Sequence, residues 1–203
     1  MDMVRKSATG LAATALLVSA VVVGCGNDKG SSAPSKTSSS SATSSSATPS
    51  ASPADYSSLL IKPSDIGPDA FADGPPVPNP AGVTGTGQTF KNPDGSRTIV
   101  DTIAVNADPA AASQLIGGMA HELGQKVNAP QQPIDVGSNG FMVIGQAADP
   151  SKQGMEISEA VFTEGRAVVD LEIDCVPGNP TPADVLLDIA REQDAAIKSG
   201  LPS

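Results

Sequence analysis

The stretch that decides the fold is residues 155–175, which read MEISEAVFTEGRAVVDLEIDC. Two alternating runs meet at Glu164-Gly165, and a glycine-containing tight turn between such runs indicates a β-hairpin. In the second run the odd-numbered residues from Ala167 to Cys175 are apolar, and Asp170, Glu172 and Asp174 point to the opposite side. The hairpin therefore predicts an antiparallel sheet.

Upstream of this hairpin the sequence predicts a second hairpin and a helix. Strands over 83–91 and 96–105 flank the turn Asn92-Pro93-Asp94-Gly95. Asp108 is an N-cap residue followed by proline, so a helix is expected to begin there. Its apolar positions follow helical spacing: Ala112, Leu115, Ile116, Met119, Leu123 and Val127. Gly117 and Gly118 either weaken this helix or allow close packing on it.

The remaining segments complete an α+β pattern. Segment 74–80 is predicted as a loop, and 131–136 and 141–147 as strands. Thr181 is expected to cap a final helix that ends at Gly200. The buried face of this helix is predicted to consist of Val185, Leu186, Ile189, Ala190 and Ile197. The order predicts an antiparallel sheet of about five to seven strands packed with two main helices.

One sequence pattern in this domain resembles a known group. Residues 162–169 have the form Phe-x-x-Gly-Arg-Ala-Val-Val and lead to a helix containing Ala190-Arg191-x-Gln193. The pattern, over about residues 155–199, resembles actinobacterial envelope lipoproteins of the LpqN type and the sensor domains of PknH-type kinases. The resemblance to LpqN implies a Mog1/PsbP-like fold and carries over no functional residue.

The N-terminus has the layout of an export signal. Arg5 and Lys6 precede an apolar run of 13 residues, Leu11 to Val23, which is too short to span a bilayer comfortably. The run leads into Val22-Val23-Gly24-Cys25, which is similar to the lipobox of bacterial lipoproteins at all four positions. That resemblance implies cleavage between Gly24 and Cys25, and lipidation of Cys25 with acyl chains of the palmitate type.

Three regions follow from these observations. Residues 1–24 form the lipoprotein signal peptide, and residues 25–54 form a lipidated cysteine with a disordered tether rich in Ser, Thr, Pro and Ala. Residues 55–203 form a single globular domain. The tether resembles those of mycobacterial lipoproteins, which implies sugars at three threonines, Thr37, Thr43 and Thr48. The predicted location is the outer face of the cytoplasmic membrane.

Composition argues against a nucleic-acid partner. Residues 55–203 contain 8 Lys and Arg against 20 Asp and Glu, and aromatic residues are 2% of the chain. An acidic surface repels phosphates, and single strands are gripped by stacking on aromatic rings.

No catalytic motif, metal site or cofactor fingerprint is found in the sequence. Cys175 is interpreted as a buried apolar residue and His121 as a helical surface residue, rather than as a catalytic pair. The row Asp170, Glu172 and Asp174 is interpreted as a solvated sheet face, with a surface for a basic partner or a calcium site as alternatives.

The sequence thus predicts a lipid-anchored, non-enzymatic interaction module of the envelope that binds a protein or an apolar ligand. The alternatives are a carrier of a lipid or another small hydrophobic molecule, and an envelope hydrolase. An exposed apolar patch over a closed core would favour the interaction module, and an apolar pocket the carrier.

Overall fold

The computed structural model describes residues 54–202. The predicted signal peptide, the Gly24–Cys25 cleavage position and nearly all of the tether, with its candidate threonines, lie outside the described residues.

Eight strands and three helices make up this domain. The strands are β1 (Phe71–Ala72), β2 (Val77–Pro78), β3 (Gly85–Lys91), β4 (Arg97–Val105), β5 (Gln132–Pro133), β6 (Ser138–Gln146), β7 (Glu156–Glu164) and β8 (Ala167–Cys175). The helices are α1 (Pro63–Ile66), α2 (Pro109–Lys126) and α3 (Ala183–Gly200). Short 3₁₀ turns occupy Ser57–Leu59, Pro80–Gly82 and Pro150–Lys152.

The strands form one antiparallel sheet in the order β1-β3-β4-β8-β7-β6-β5, and β2 also pairs with β3. This arrangement confirms the α+β class. The structure has eight strands rather than five to seven, because two-residue strands at the sheet edge extend it. One of these, Val77–Pro78, lies in the segment that was predicted as a loop. Such short edge strands are hard to predict because they contain no alternating pattern.

Both predicted hairpins are present, and their turns contain the expected residues. Gly95 adopts a φ of 69° between β3 and β4, where the Asp94 carboxylate accepts a hydrogen bond from Ser96 N at 2.9 Å. Gly165 adopts a φ of 54° between β7 and β8. Positive φ favours glycine, so these two turns set the register of the four central strands.

A helix packs on each side of the sheet, α2 on one side and α3 on the other. The α3 side holds the larger core, to which these residues contribute: Leu59, Phe90, Ile99, Ile103, Phe162, Val169, Leu171, Ile173, Leu186, Ile189 and Ile197. The α2 side holds a smaller one: Ala112, Ile116, Leu123, Val127, Val143, Ile157, Val161 and Val168. None of the helices in residues 54–202 is long and apolar enough to cross a membrane.

One helix cap is as predicted and the other is not. The Asp108 carboxylate accepts a hydrogen bond from Ala111 N at 2.8 Å and caps α2. The prediction that Thr181 caps the last helix is wrong, since α3 begins at Ala183 with Pro182 in the cap position. The Thr181 hydroxyl instead lies 3.3 Å from the Cys175 sulfur.

The strand predicted over 131–136 is much shorter in the structure. Gln132 and Pro133 pair with Met142 and Phe141 of β6, and the pairing stops there. Pro133 has no amide hydrogen to donate, which limits a strand to a sheet edge.

Candidate functional site

The acidic row of β8 lies on the α2 side of the sheet, and it is not solvated. The side chains of Glu172 and Asp174 are only 13% and 14% exposed. The interpretation of the row as a solvated sheet face was therefore wrong. The end of α2 and the turn Pro150–Lys152 each place a lysine over the row, and neither lysine could be matched to it from sequence spacing.

The two lysines join three strand carboxylates into one network. Lys126 Nζ lies 3.0 Å from Glu159 Oε2 on β7 and 2.5 Å from Glu172 Oε2 on β8. Lys152 Nζ lies 2.8 Å from Glu172 Oε1 and 2.8 Å from Asp174 Oδ2. We call this group the carboxylate–lysine cluster, and its members are Lys126, Lys152, Glu159, Asp170, Glu172 and Asp174.

Burial divides these carboxyls into two kinds. Burial, and then the neighbouring Asp170, raise the pKa of Glu159 to about 9, although Lys126 acts in the opposite direction. Glu172 is the opposite case: hydrogen bonds from Lys126 and Lys152 outweigh its burial and lower its pKa. Burial raises the pKa of Asp170 and Asp174. Burial therefore disfavours the charged form of three of the four carboxyls, and the two lysines favour the charged form of Glu172.

This geometry ties separate elements together. A pocket beside Lys126 is lined by Glu122, Gln125, Ala148 and Asp149, and Glu159 and Asp170 are not in its lining. Across residues 54–202, no group of three or more His, Cys, Asp or Glu side chains is arranged to hold a metal ion. Lys126 joins the last turn of α2 to β8, and Lys152 joins the loop before β7 to the same strand.

Cys175 and His121 lie on opposite sides of the sheet. Cys175 belongs to the α3-side core with 1% of its surface exposed, which confirms the prediction of a buried thiol. His121 is exposed on α2, which packs on the other side. The structure does not bring the two side chains together.

Helix α2 covers only half of its side of the sheet. It packs on β6, β7 and β8 and leaves the outer surface of β3 and β4 open. The strand register places Phe71, Val77 and Val100 on this surface, with exposed fractions of 44%, 55% and 36%. We call it the open face, and its members are Phe71, Val77, Thr89, Lys91, Thr98, Val100 and Thr102. Lys91 lies in register between Phe71 and Thr98 and forms an ion pair with Asp73.

The carboxylate–lysine cluster forms one border of the open face. Asp170 is paired in register with Thr102, and Asp174 with Thr98. One carboxylate oxygen of each aspartate, Oδ1, is buried without a hydrogen-bond partner among the described residues. Buried carboxyl groups thus border the exposed apolar side chains of the open face.

A groove runs along β3 on the opposite, α3 side of the sheet. Its walls are the N-terminal segment 54–63 and the proline-rich loop 72–79, and its floor includes Thr86, Gln88 and Phe90. It has two sections of about 460 and 240 Å³. We call it the β3 groove. Asn79 forms part of its wall in a left-handed conformation, with a φ of 51°.

Sequence reasoning missed the open face and the β3 groove. The alternation of Thr98, Val100 and Thr102 was visible within a predicted strand, but a strand pattern does not reveal which part of a sheet a helix leaves uncovered. The groove depends on contacts between segments far apart in the chain.

The fold is similar to one solved extracytoplasmic domain. The crystal structure of the extracellular domain of PknH from Mycobacterium tuberculosis superposes with a TM-score of 0.54 at 11% identity, covering 73% of this chain and 98% of that one. No protein-family model matches the chain, and no curated protein matches its sequence. At this identity the likeness shows the fold alone, and it agrees with the resemblance to PknH-type sensor domains.

Proposed function

We propose that the chain is a lipid-anchored, non-enzymatic interaction module of the cell envelope, of the mycobacterial type. Cys25 would carry the lipid, residues 26–54 would form the tether, and the domain would bind a protein through its open face. The four-position lipobox supports the anchor. The fold shared with an extracellular domain of Mycobacterium tuberculosis supports a location outside the cytoplasmic membrane.

The open face is the observation that carries the proposal. Phe71, Val77 and Val100 expose apolar surface on β1, β2 and β4, the three strands that pair with β3, while the core beneath them is closed. Contiguous exposed apolar surface on a soluble domain marks an interaction site. A carrier would instead need an enclosed apolar cavity, and the 460 Å³ section of the β3 groove is open and has Asp55, Asn79 and Thr86 in its lining.

The charge of the domain favours a partner with basic side chains. The domain as a whole has 20 acidic and 8 basic residues, so its field attracts positive surfaces. We infer a protein partner that presents an apolar patch with lysine or arginine at its edge.

Site-specific photo-crosslinking in the native host tests the surface. A photoreactive amino acid at Val100 is expected to give a discrete adduct with one protein. Val83 is the matched control because it is equally exposed, at 37%, and lies outside the sheet. Adduct formation from Val83 but not from Val100 would reject the open face as the docking surface.

The anchor has its own test, which does not depend on the partner. Cys25→Ala is expected to move the chain from the detergent phase to the aqueous phase in a detergent phase separation, because acyl chains contribute about 0.8 kcal/mol per buried methylene. Retention of the variant in the detergent phase would reject lipidation at Cys25.

A further inference from the structure

Both walls of the β3 groove are fixed along its wide section, the one of about 460 Å³. On one side, Asp55 Oδ1 accepts a hydrogen bond from Ser57 N at 2.9 Å. On the other side, Asn79 N donates to Gly85 O at 3.0 Å, and Asn79 Oδ1 accepts from Gly85 N at 3.2 Å. Because these walls are already ordered, a ligand would lose little free energy in shaping the site.

The apolar part of the wide section is lined by rings. Tyr56, which is half-buried, lies on one wall, and Pro76 and Pro78 lie on the other. The β2–β3 register pairs Pro78 with Thr86 on the floor, so both side chains point to the α3 side of the sheet. Aromatic-lined grooves are a common binding surface for proline-rich peptides in the polyproline II conformation, and this lining has the same character.

The floor of the groove has no free strand edge. It is a face of the sheet, and β3 is paired with β4 along one edge and with β1 and β2 along the other. An ordinary extended peptide bound there would leave backbone N–H groups without partners, at a cost of about 1–3 kcal/mol for each buried group. Proline has no N–H group, so a proline-rich peptide avoids this cost.

The polar groups of the wide section favour a ligand that accepts hydrogen bonds. The Thr86 hydroxyl and the Asn79 amide nitrogen can each donate one. Among the acceptors, Asp55 Oδ1 and Asn79 Oδ1 already accept from Ser57 N and Gly85 N. A polyproline segment offers carbonyl oxygens and no backbone donors, whereas a sugar offers hydroxyl donors that need acceptors.

We propose that the wide section of the β3 groove binds a proline-rich segment of another protein in the polyproline II conformation. The proline rings of this segment would lie against Tyr56, Pro76 and Pro78, and its carbonyl oxygens would accept hydrogen bonds from Asn79 and Thr86. The groove is on the opposite side of the sheet from the open face, so the inference goes beyond the proposed docking surface and can fail independently of it.

Tyrosine fluorescence tests the proposal on the non-lipidated full chain carrying Cys25→Ala. Tyr56 is the only tyrosine and the chain has no tryptophan, so the emission reports on this groove. The probe is a blocked hexaproline peptide, which is neutral because the charged side chains of the groove, Asp55 and Lys62, have opposite signs. Hexaproline is expected to change the emission saturably and to bind at least about tenfold more tightly than a blocked glycine–serine peptide of the same length, a difference equivalent to about 1.4 kcal/mol.

Two variants in the groove and one control make the outcome decisive. Thr86→Val keeps the side-chain volume and removes a donor, and Pro76→Ala removes a ring at an exposed position, so each should weaken hexaproline binding about tenfold. Thr89→Val, on the same strand but on the open face, is the matched control and should leave the affinity unchanged.

Three results would overturn the proposal. The first is the absence of both a saturable emission change and a heat of binding in calorimetry at millimolar hexaproline. The second is equal affinity for the two peptides, or unchanged affinity in both groove variants. The third is saturable binding of the disaccharide cellobiose in place of hexaproline, which would assign the groove to a sugar.

Discussion

The side-chain amide of Gln193 holds Leu59, a residue 134 positions away in the chain. Gln193 Nε2 donates to Leu59 O at 2.7 Å, and Gln193 Oε1 accepts from Ile61 N at 3.1 Å. Gln193 is fully buried on the inner face of α3. One glutamine therefore fixes the N-terminal segment that forms a wall of the β3 groove.

Gln193→Leu is expected to lower the free energy of unfolding by about 2–4 kcal/mol. The substitution keeps the apolar volume and leaves two buried backbone groups without partners, each costing about 1–3 kcal/mol. Urea unfolding followed by circular dichroism measures the change. Gln125→Leu, at an exposed position of α2, is the control and should change stability by less than about 0.5 kcal/mol. Equal effects of the two substitutions would contradict this role of Gln193.

Asp101 should make the domain less stable as the pH rises from about 4 to about 8. In this window the folded state keeps the proton of Asp101, whose pKa is raised by burial to about 8, while the unfolded state has lost it. Because the folded state binds a proton that the unfolded state does not, the free energy of unfolding falls as the pH increases. Asp101→Asn should match the wild type near pH 4 and exceed it by on the order of 3–5 kcal/mol at pH 8.

Denaturant unfolding at several pH values measures this difference. Asp69→Asn removes an exposed carboxyl and should leave the slope of stability against pH as in the wild type. Wild type and Asp101→Asn curves that run parallel from pH 4 to pH 8 would be incompatible with a protonated, buried Asp101.

Lys126→Met should destabilise the domain by about 1–3 kcal/mol at pH 7. It removes a cation from Glu159 and Glu172, which are 3% and 13% exposed. Breaking a buried ion pair costs about 3–5 kcal/mol. The loss expected for Lys126→Met is smaller because the Lys126 side chain is itself 39% exposed. Arg191→Met, which breaks an exposed helix pair with Asp188, should cost less than about 0.5 kcal/mol. If both variants unfold at the same urea concentration, the cluster does not tie α2 to the sheet.

Gly117→Ala and Gly118→Ala should each stabilise the domain by about 0.5–1 kcal/mol. Both glycines are exposed within α2, and an added Cβ would meet nothing within 4 Å. Alanine restricts the unfolded chain and favours the helix. Gly145→Ala is the opposite case, because its Cβ would lie 2.7 Å from the Ala129 Cβ. Thermal unfolding midpoints are expected to rise for Gly117→Ala and Gly118→Ala and to fall for Gly145→Ala. A lower midpoint for Gly117→Ala would indicate an unrecognised contact of that residue.

Local sequence patterns predicted the central hairpins and helices, because alternation, turn glycines and the Asp108 cap act within a few residues. Long-range contacts were not predicted in the same way. Gln193 lies between Ile189 and Ile197 on the apolar face of α3. That position is the sequence signal that could have identified it as a buried polar residue. The lysine partners of Glu172 come from a helix end and a turn, 46 and 20 residues away, and no spacing rule joins them. The uncovered half of the sheet depends in the same way on where α2 packs.

Native mass spectrometry of the lipidated chain, extracted from the membranes of its own host, tests whether the domain docks a protein through its open face. We predict that the wild type carries one protein partner, that Val100→Asp loses it, and that Val83→Asp, at an equally exposed position outside the sheet, keeps it. A bound lipid in place of a protein would contradict the interaction module and favour the carrier. A partner retained by Val100→Asp would contradict docking through the open face.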